Sequence, residues 1–510
     1  MVVLAAAPYK VFELDRFFVP KELALHLTAL LASLALLARV RRASLARVDQ
    51  LLLLFLALGA CSALFATNWW SAERAVALSL SGAACFWCAR ALARAGHGRA
   101  LIATLAAAGA IGAATSLLQT YGLRIEYFSL NRAPGGTFGN RNFMAHLCVI
   151  TFPALVFATL RANSRIALRW WYISMAIVCA GLIVSRSRAA WLALIAGALV
   201  LIVSGWFALR RRERTLPLRR LAMLAVAGIA GSGAALVLPN TLDWKSDSPY
   251  MDTARSVVNY KAGSGHGRLV QYGNSLRMSL HHPVLGVGPG NWAVVYPKFA
   301  STEDPSLGED GMTSNPWPSS DWVTFLSERG VAACVILLLA VIALATDGAR
   351  GVARGVMDDE RVSACALLGT LATLVVVGSF DAVLLLPVPA LIGWTLLGAL
   401  SPPSRARRVM ELPLAKRALV LLVATAMGGI AVARSVSQLS AMSLYSTSTR
   451  LSLLERSSRL DPGSYRIHLR LAESYIRRGS CEKGRGHAAA AHALFPEASA
   501  PRRLLAQCGR

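Results

Sequence analysis

Arginine can grip a phosphate or diphosphate without a metal, because its planar guanidinium offers two parallel N–H donors. Three arginines of this 510-residue chain stand where such a grip is useful. Arg186 and Arg188 lie in Ile183–Trp191 (IVSRSRAAW), between two apolar stretches where a lipid-facing charge is costly. Snorkelling to the interface is the plainer role for them. Arg268 follows a Gly/Ser/His tract (Gly263–Gly267) whose backbone N–H groups weakly resemble an anion nest. Two residues could take a proton from a hydroxyl. Asp321 in Trp317–Gly330 (WPSSDWVTFLSERG) sits at a helix start, and its alternative role is capping. His282, beside His281 and before Pro283, can act as a base or close the preceding helix. Sugar hydroxyls would suit Arg141 and Asn142, which open a helix after a Gly-rich turn, and Asn291 and Trp292 after Gly286–Gly290 (GVGPG). A tryptophan there stacks on a sugar ring or is buried. Glu328 and Arg329, adjacent in an apolar helix, are expected to form an internal ion pair.

These residues hang on an apolar scaffold. The chain is 55% hydrophobic and 16% charged, outside the range of ordinary soluble domains. Charge-free windows such as Leu51–Trp69 and Leu101–Gln119 are long enough to cross a bilayer as helices. Twelve spans are expected, near 22–38, 50–67, 75–93, 100–120, 142–160, 169–185, 189–209, 221–238, 322–346, 362–380, 382–400 and 418–437. Every second connection is basic, from Arg39, Arg41 and Arg42 through Arg210–Arg214 to Arg405, Arg407, Arg408 and Arg417. Positive-inside bias puts these in the cytoplasm and the alternate connections outside. The net charge of +26 is thus a topology signal and argues against nucleic acid as partner.

The fold class expected is all-α: a polytopic membrane protein with one long periplasmic loop and a small helical-repeat C-terminal region. Residues 1–21 form an N-terminal interfacial segment, with Phe12, Phe17 and Phe18 at the headgroups. Helices 1–8 occupy 22–238, the loop 239–320, helices 9–12 residues 321–437, and the periplasmic repeat region 438–510. The loop carries six basic residues, Lys245 and Lys261 among them, and seven acidic ones, so it is nearly neutral. From Tyr465 the pattern Leu471, Ala472, Tyr475, Gly484, Ala488, Ala491, Pro496 follows a tetratricopeptide repeat. So short a repeat is expected to pack on the outer face, as a structural cap or as a partner-docking or complex-assembly module. Cys481 and Cys508 lie together in this region and could pair if it faces an oxidising compartment. Cys85 and Cys88 have metal-ligand spacing but no second pair, so packing is expected of them. No Walker, zinc or Ser-His-Asp pattern stands out, and neither a cofactor nor a metal is expected.

GTFGNRNFMAHL, SRSRAAWLAL, the stretch from Arg268 to HPVLGVGPGNW, and WPSSDWVTFLSERG, in this order, resemble the bacterial O-antigen ligase/polymerase family over about residues 130–345. The resemblance implies an inner-membrane glycosyltransferase that works without a metal. Its substrates would be an undecaprenyl-diphosphate-linked glycan and an acceptor glycan or lipid, with membrane lipids around it and polysaccharide assembly proteins as the partners its C-terminal repeat could dock. Arg188 or Arg186, together with Arg268, would hold the diphosphate. The family's usual histidine at the ninth span is absent, its motif reading Ser319-Ser320-Asp321 here, so Asp321 is the candidate replacement. A polymerase, a ligase, and a non-catalytic scaffold of an export complex all remain open. A lipid-linked glycan transporter would want charges deep in several spans and internal repeats, which the sequence lacks.

Overall fold

The computed structural model describes all residues except 41, 130–131, 211–216, 245, 257–262, 302, 356–357, 402–408, 412 and 509–510. Arg41, Arg211, Arg212, Arg214, Lys245, Lys261, Arg405, Arg407 and Arg408 therefore lie outside the described residues. Among the described residues the secondary structure is helical apart from a three-residue antiparallel ladder between Arg42–Ser44 and Val409–Glu411 and an isolated bridge between Leu307 and Thr313.

The apolar runs form α1 (Asp15–Arg39), α2 (Arg47–Ala63), α3 (Trp69–Leu92), α4 (Gly98–Thr120), α5 (Arg141–Leu160), α6 (Arg165–Ser185), α7 (Arg188–Arg210) and α8 (Leu218–Val237). After the loop come α12 (Asp321–Arg354), α13 (Asp358–Phe380), α14 (Pro387–Leu400) and α15 (Leu414–Thr447). Among the described residues nine helical runs are long and apolar enough to cross a membrane. One of them, Trp69–Thr120, contains α3 and α4 and is broken at Gly96, where φ is 91°. Each expected span is helical, but α2 has 17 residues and α14 only 14. The latter spans roughly 21 Å, short of the hydrocarbon thickness. All of α14 is buried among α3, α5 and α13. A helix apolar on every face belongs in such a core.

The N-terminal aromatics are not at a lipid surface. Phe12, Phe17 and Phe18 are buried, Phe12 against Tyr445 and Phe18 against Phe143 and Trp317. Helix α1 begins at Asp15, earlier than the expected boundary.

The long loop contributes three helices, α9 (Pro249–Arg255), α10 (Gly263–His281) and α11 (Trp292–Val295). The C-terminal region adds α16 (Leu451–Leu460), α17 (Tyr465–Ile476), α18 (Cys481–Leu494) and α19 (Ser499–Gln507). Helices α17 and α18 pack on each other, and Leu471, Ala472, Tyr475, Ala488 and Ala491 are buried. This region sits at the loop end of the bundle. The Ser499 N–H donates to the Asp310 carbonyl at 2.9 Å, and Asn68 Nδ2 donates to the Leu494 carbonyl at 3.3 Å. Cys481 and Cys508 form a disulfide across 5.5 Å between Cα atoms.

Candidate active site

The loop is pinned by an unusual exchange of backbone bonds. Gly330 breaks α12 with φ 79°, leaving the preceding turn's carbonyls without their helical donors. The loop supplies the replacements. The Val287 N–H donates to the Ser327 carbonyl at 3.0 Å and the Gly288 N–H to the Glu328 carbonyl at 2.9 Å. In return the Val331 N–H donates to the Pro283 carbonyl at 2.9 Å. A Cβ at Gly286 would lie 2.3 Å from the Glu328 carbonyl carbon, and one at Gly330 2.2 Å from the Val284 carbonyl oxygen. Glycine at both positions is what lets the two backbones meet.

Side chains complete this lock. The Glu328 carboxylate accepts the N–H groups of Gly290 (2.8 Å) and Trp292 (3.1 Å). Asn291 and the backbone of Asn68 bond in both directions, at 2.6 and 3.0 Å. The Trp292 indole N–H donates to Ser275 Oγ at 2.9 Å. Asn291 and Trp292 are wholly buried, so neither presents a face to a sugar. The expected Glu328–Arg329 ion pair is absent among the described residues. Arg329 instead donates to Ser79 Oγ at 2.6 Å and lies over the rings of Phe55 and Phe325.

Helix α10 lies on this end of the bundle with its polarity inverted. Gln271, Asn274, Ser275 and Ser279 are buried, whereas Leu269, Leu276 and Leu280 are exposed. The buried amides clasp backbone and carboxylate: Gln271 Oε1 accepts the Ser319 N–H at 2.8 Å, and Asn274 Nδ2 donates to Asp304 at 2.7 Å. The Tyr272 hydroxyl donates to the carbonyls of Ser319 and Ser379, fixing α10 to the ends of α12 and α13. An outward leucine face suits the membrane surface.

One turn before Tyr272, Arg268 is half-buried and makes no hydrogen bond or ion pair to a described residue. It is within electrostatic reach of His146 on α5. The other arginines gather around Trp244 of the loop. Arg186 holds its guanidinium carbon 4.7 Å from the Trp244 ring centre and Arg141 at 5.3 Å, within cation–π range. Arg186 Nε also donates to Thr253 Oγ1 at 2.8 Å. Arg186 is the non-glycine residue with positive φ, 53°, among the described residues. Strain of this kind is retained where the surrounding structure imposes it. Burial lowers its proton affinity, with Tyr250 and Asp252 opposing, yet a guanidinium stays charged. Arg188, the first residue of α7, donates to the Ser256 carbonyl.

Beside Arg141 the basin has a carboxylate floor. Asn142 Nδ2 lies 3.5 Å from Asp381 Oδ2, and His146 Nε2 lies 3.5 Å from the same oxygen. Sequence reasoning missed His146, Asp381 and Trp244. The signals were present: Asp381 is the single charged residue between Arg361 and Arg405, and His146 the single histidine between His97 and His266.

The two bases expected from sequence fall elsewhere. Asp321 is fully buried, and its carboxylate accepts the N–H of Val383 at 2.9 Å and of Leu384 at 3.0 Å. It staples the start of α12 to the link before α14. His282 is exposed, and its backbone N–H bonds to the Met278 and Ser279 carbonyls, closing α10. Among the described residues no group of three or more His, Cys, Asp or Glu side chains converges as a metal site.

Fold and site together define a multi-pass helical membrane protein in which a long loop meets arginines at the helix ends. Residues 173–338 match the family model for O-antigen ligase, which supports the O-antigen ligase/polymerase assignment and indicates glycan transfer of that type in polysaccharide assembly. The matched segment holds Arg186, Arg188, Arg268 and the lock, whereas Arg141, Asn142, His146 and Asp381 lie outside it. No curated protein matches the chain.

Proposed function

We propose that the protein moves a glycan from an undecaprenyl-diphosphate carrier to an acceptor sugar hydroxyl on the periplasmic face of a bacterial inner membrane. The observation that carries this reading is the arginine basin. Arg141 and Arg186 lie over Trp244, Arg188 stands on the next helix, and Arg268, without an ion pair among the described residues, is within electrostatic reach of His146. Such a basin neutralises charge that builds on a departing diphosphate. A polyprenyl tail would need an apolar cleft along the spans. An apolar cleft of about 980 Å³ runs along α8 between Leu218 and Leu236, lined also by Phe152, Met175 and Trp206. The Cys481–Cys508 disulfide favours an oxidising compartment for the loop end.

The test is complementation of a deletion in the source strain with Arg268→Ala and Arg186→Ala at matched membrane levels. Each variant is expected to lower polysaccharide at least tenfold. Loss of polymer with accumulated lipid-linked single units marks a polymerase. Full-length polymer left on its lipid marks a ligase. Normal product from both variants overturns the reading and leaves a scaffold.

A further inference from the structure

Ser319 and Ser320 stand at the start of α12, and Asp321 is occupied by backbone N–H groups. A base is nevertheless needed wherever a sugar hydroxyl attacks an anomeric carbon at neutral pH. Asp381, in the link between α13 and α14, is the carboxylate met by the helix that carries Arg141 and Asn142. Its side chain is 12% exposed, enough to be reached from the basin. One oxygen, Oδ1, accepts the Ala382 N–H at 2.9 Å. The other, Oδ2, is met from α5 by Asn142 Nδ2 and His146 Nε2, each at 3.5 Å.

His146 is the unusual member. Its ring is completely buried, and neither nitrogen has a hydrogen-bond partner at ordinary distance. A buried imidazole without partners carries a desolvation cost that packing alone does not explain. The groups facing the pair are Arg268 from α10 and Asp321 from α12. Asn142 and His146 are four residues apart on α5, hence on one face of the helix. That face is directed at a single carboxylate oxygen.

We propose that Asp381 is the general base of the transfer, and that His146 and Asn142 are positioning residues that hold its Oδ2 toward the acceptor. This rests on the glycan-transfer reading. In the step, the acceptor hydroxyl oxygen forms a bond to the anomeric carbon. The bond from that carbon to the diphosphate oxygen breaks, and its electron pair leaves on the diphosphate. The hydroxyl proton passes to Asp381 Oδ2. The arginines stabilise the leaving group on one side of the reacting carbon, and the carboxylate serves the other.

The test uses the full chain, replaced in the source strain, with Asp381→Asn, His146→Gln and Arg268→Ala. Polysaccharide, lipid-linked donor and membrane level are measured. Binding of undecaprenyl diphosphate is measured on protein in nanodiscs. Asp381→Asn is expected to cut product by about 10²–10⁴-fold, the usual worth of a general base. It should leave undecaprenyl diphosphate binding within twofold of wild type. Arg268→Ala should instead weaken that binding. His146→Gln should lower the transfer rate less and displace the acid limb of its pH profile in membrane vesicles, a change that a merely structural role would not cause. Normal product from Asp381→Asn overturns the proposal. Should that variant not accumulate, a His146→Gln profile superimposable on wild type overturns it instead. Failure of the glycan-transfer reading has a different signature: wild type would bind no undecaprenyl diphosphate, and the deletion would leave polysaccharide unchanged.

Discussion

Two regions at the loop end of the bundle handle polar groups in opposite ways. In the lock, Glu328, Asn291, Trp292 and the broken backbone at Gly330 are buried, and each has its partner. In the basin, Arg268 and the His146 ring lack partners among the described residues, and Arg186 sits in a left-handed conformation. Satisfied polar groups stabilise one arrangement, whereas unsatisfied ones are retained when something outside the protein completes them. The conspicuous motif HPVLGVGPGNW therefore holds the loop to α12, and the proposed chemistry falls to the scattered residues beside it. Mutations should separate the two: lock variants lose the protein, basin variants lose the product.

The largest effect expected in the lock is from Gly330→Ala. Left-handed strain alone costs about 1–3 kcal/mol. The added Cβ also meets the Val284 carbonyl oxygen at 2.2 Å, so the loop must leave α12. The protein should fail to accumulate in the membrane. Wild-type levels of a stable Gly330→Ala protein would show that the loop is not held by this exchange. Glu328→Leu comes next. It leaves the buried N–H groups of Gly290 and Trp292 without an acceptor, at about 1–3 kcal/mol each. Glu328→Gln keeps one acceptor oxygen and should lose roughly half as much. Thermal unfolding of the detergent-solubilised protein reads both, and equal losses would mean that the carboxylate's charge matters more than its bonds.

Much of the scaffold was legible because apolar length and basic connections are dictated by the bilayer. Each expected span contains a helix, and nine helical runs among the described residues are long and apolar enough to cross a membrane. The short, fully buried α14 shows the limit: hydropathy cannot tell a core helix from a crossing one. The arginines could be named early because charge in an apolar setting needs a reason. The carboxylate site could not. His146 and Asp381 are 235 positions apart, each alone in an apolar run, and only the packing of α5 beside α13 and α14 brings them together. Conversely, a Gly-rich turn followed by Asn291 and Trp292 looks the same in sequence whether it faces a sugar or closes on Glu328.

That ambiguity gives the smallest and most discriminating prediction. If Trp292 stacked a sugar, Trp292→Phe would impair transfer while leaving stability unchanged, because the ring would face solvent in the free protein. The structure places the ring at zero exposure, 4.3 Å from the Tyr296 ring centre, with its N–H on Ser275 Oγ. Phenylalanine preserves the aromatic contact and removes that hydrogen bond. The expected loss is about 1 kcal/mol of stability, with polysaccharide amount and length as in wild type at matched membrane level. A Trp292→Phe protein as stable as wild type but short of product would move the sugar site into the lock and dissolve the contrast between the two regions.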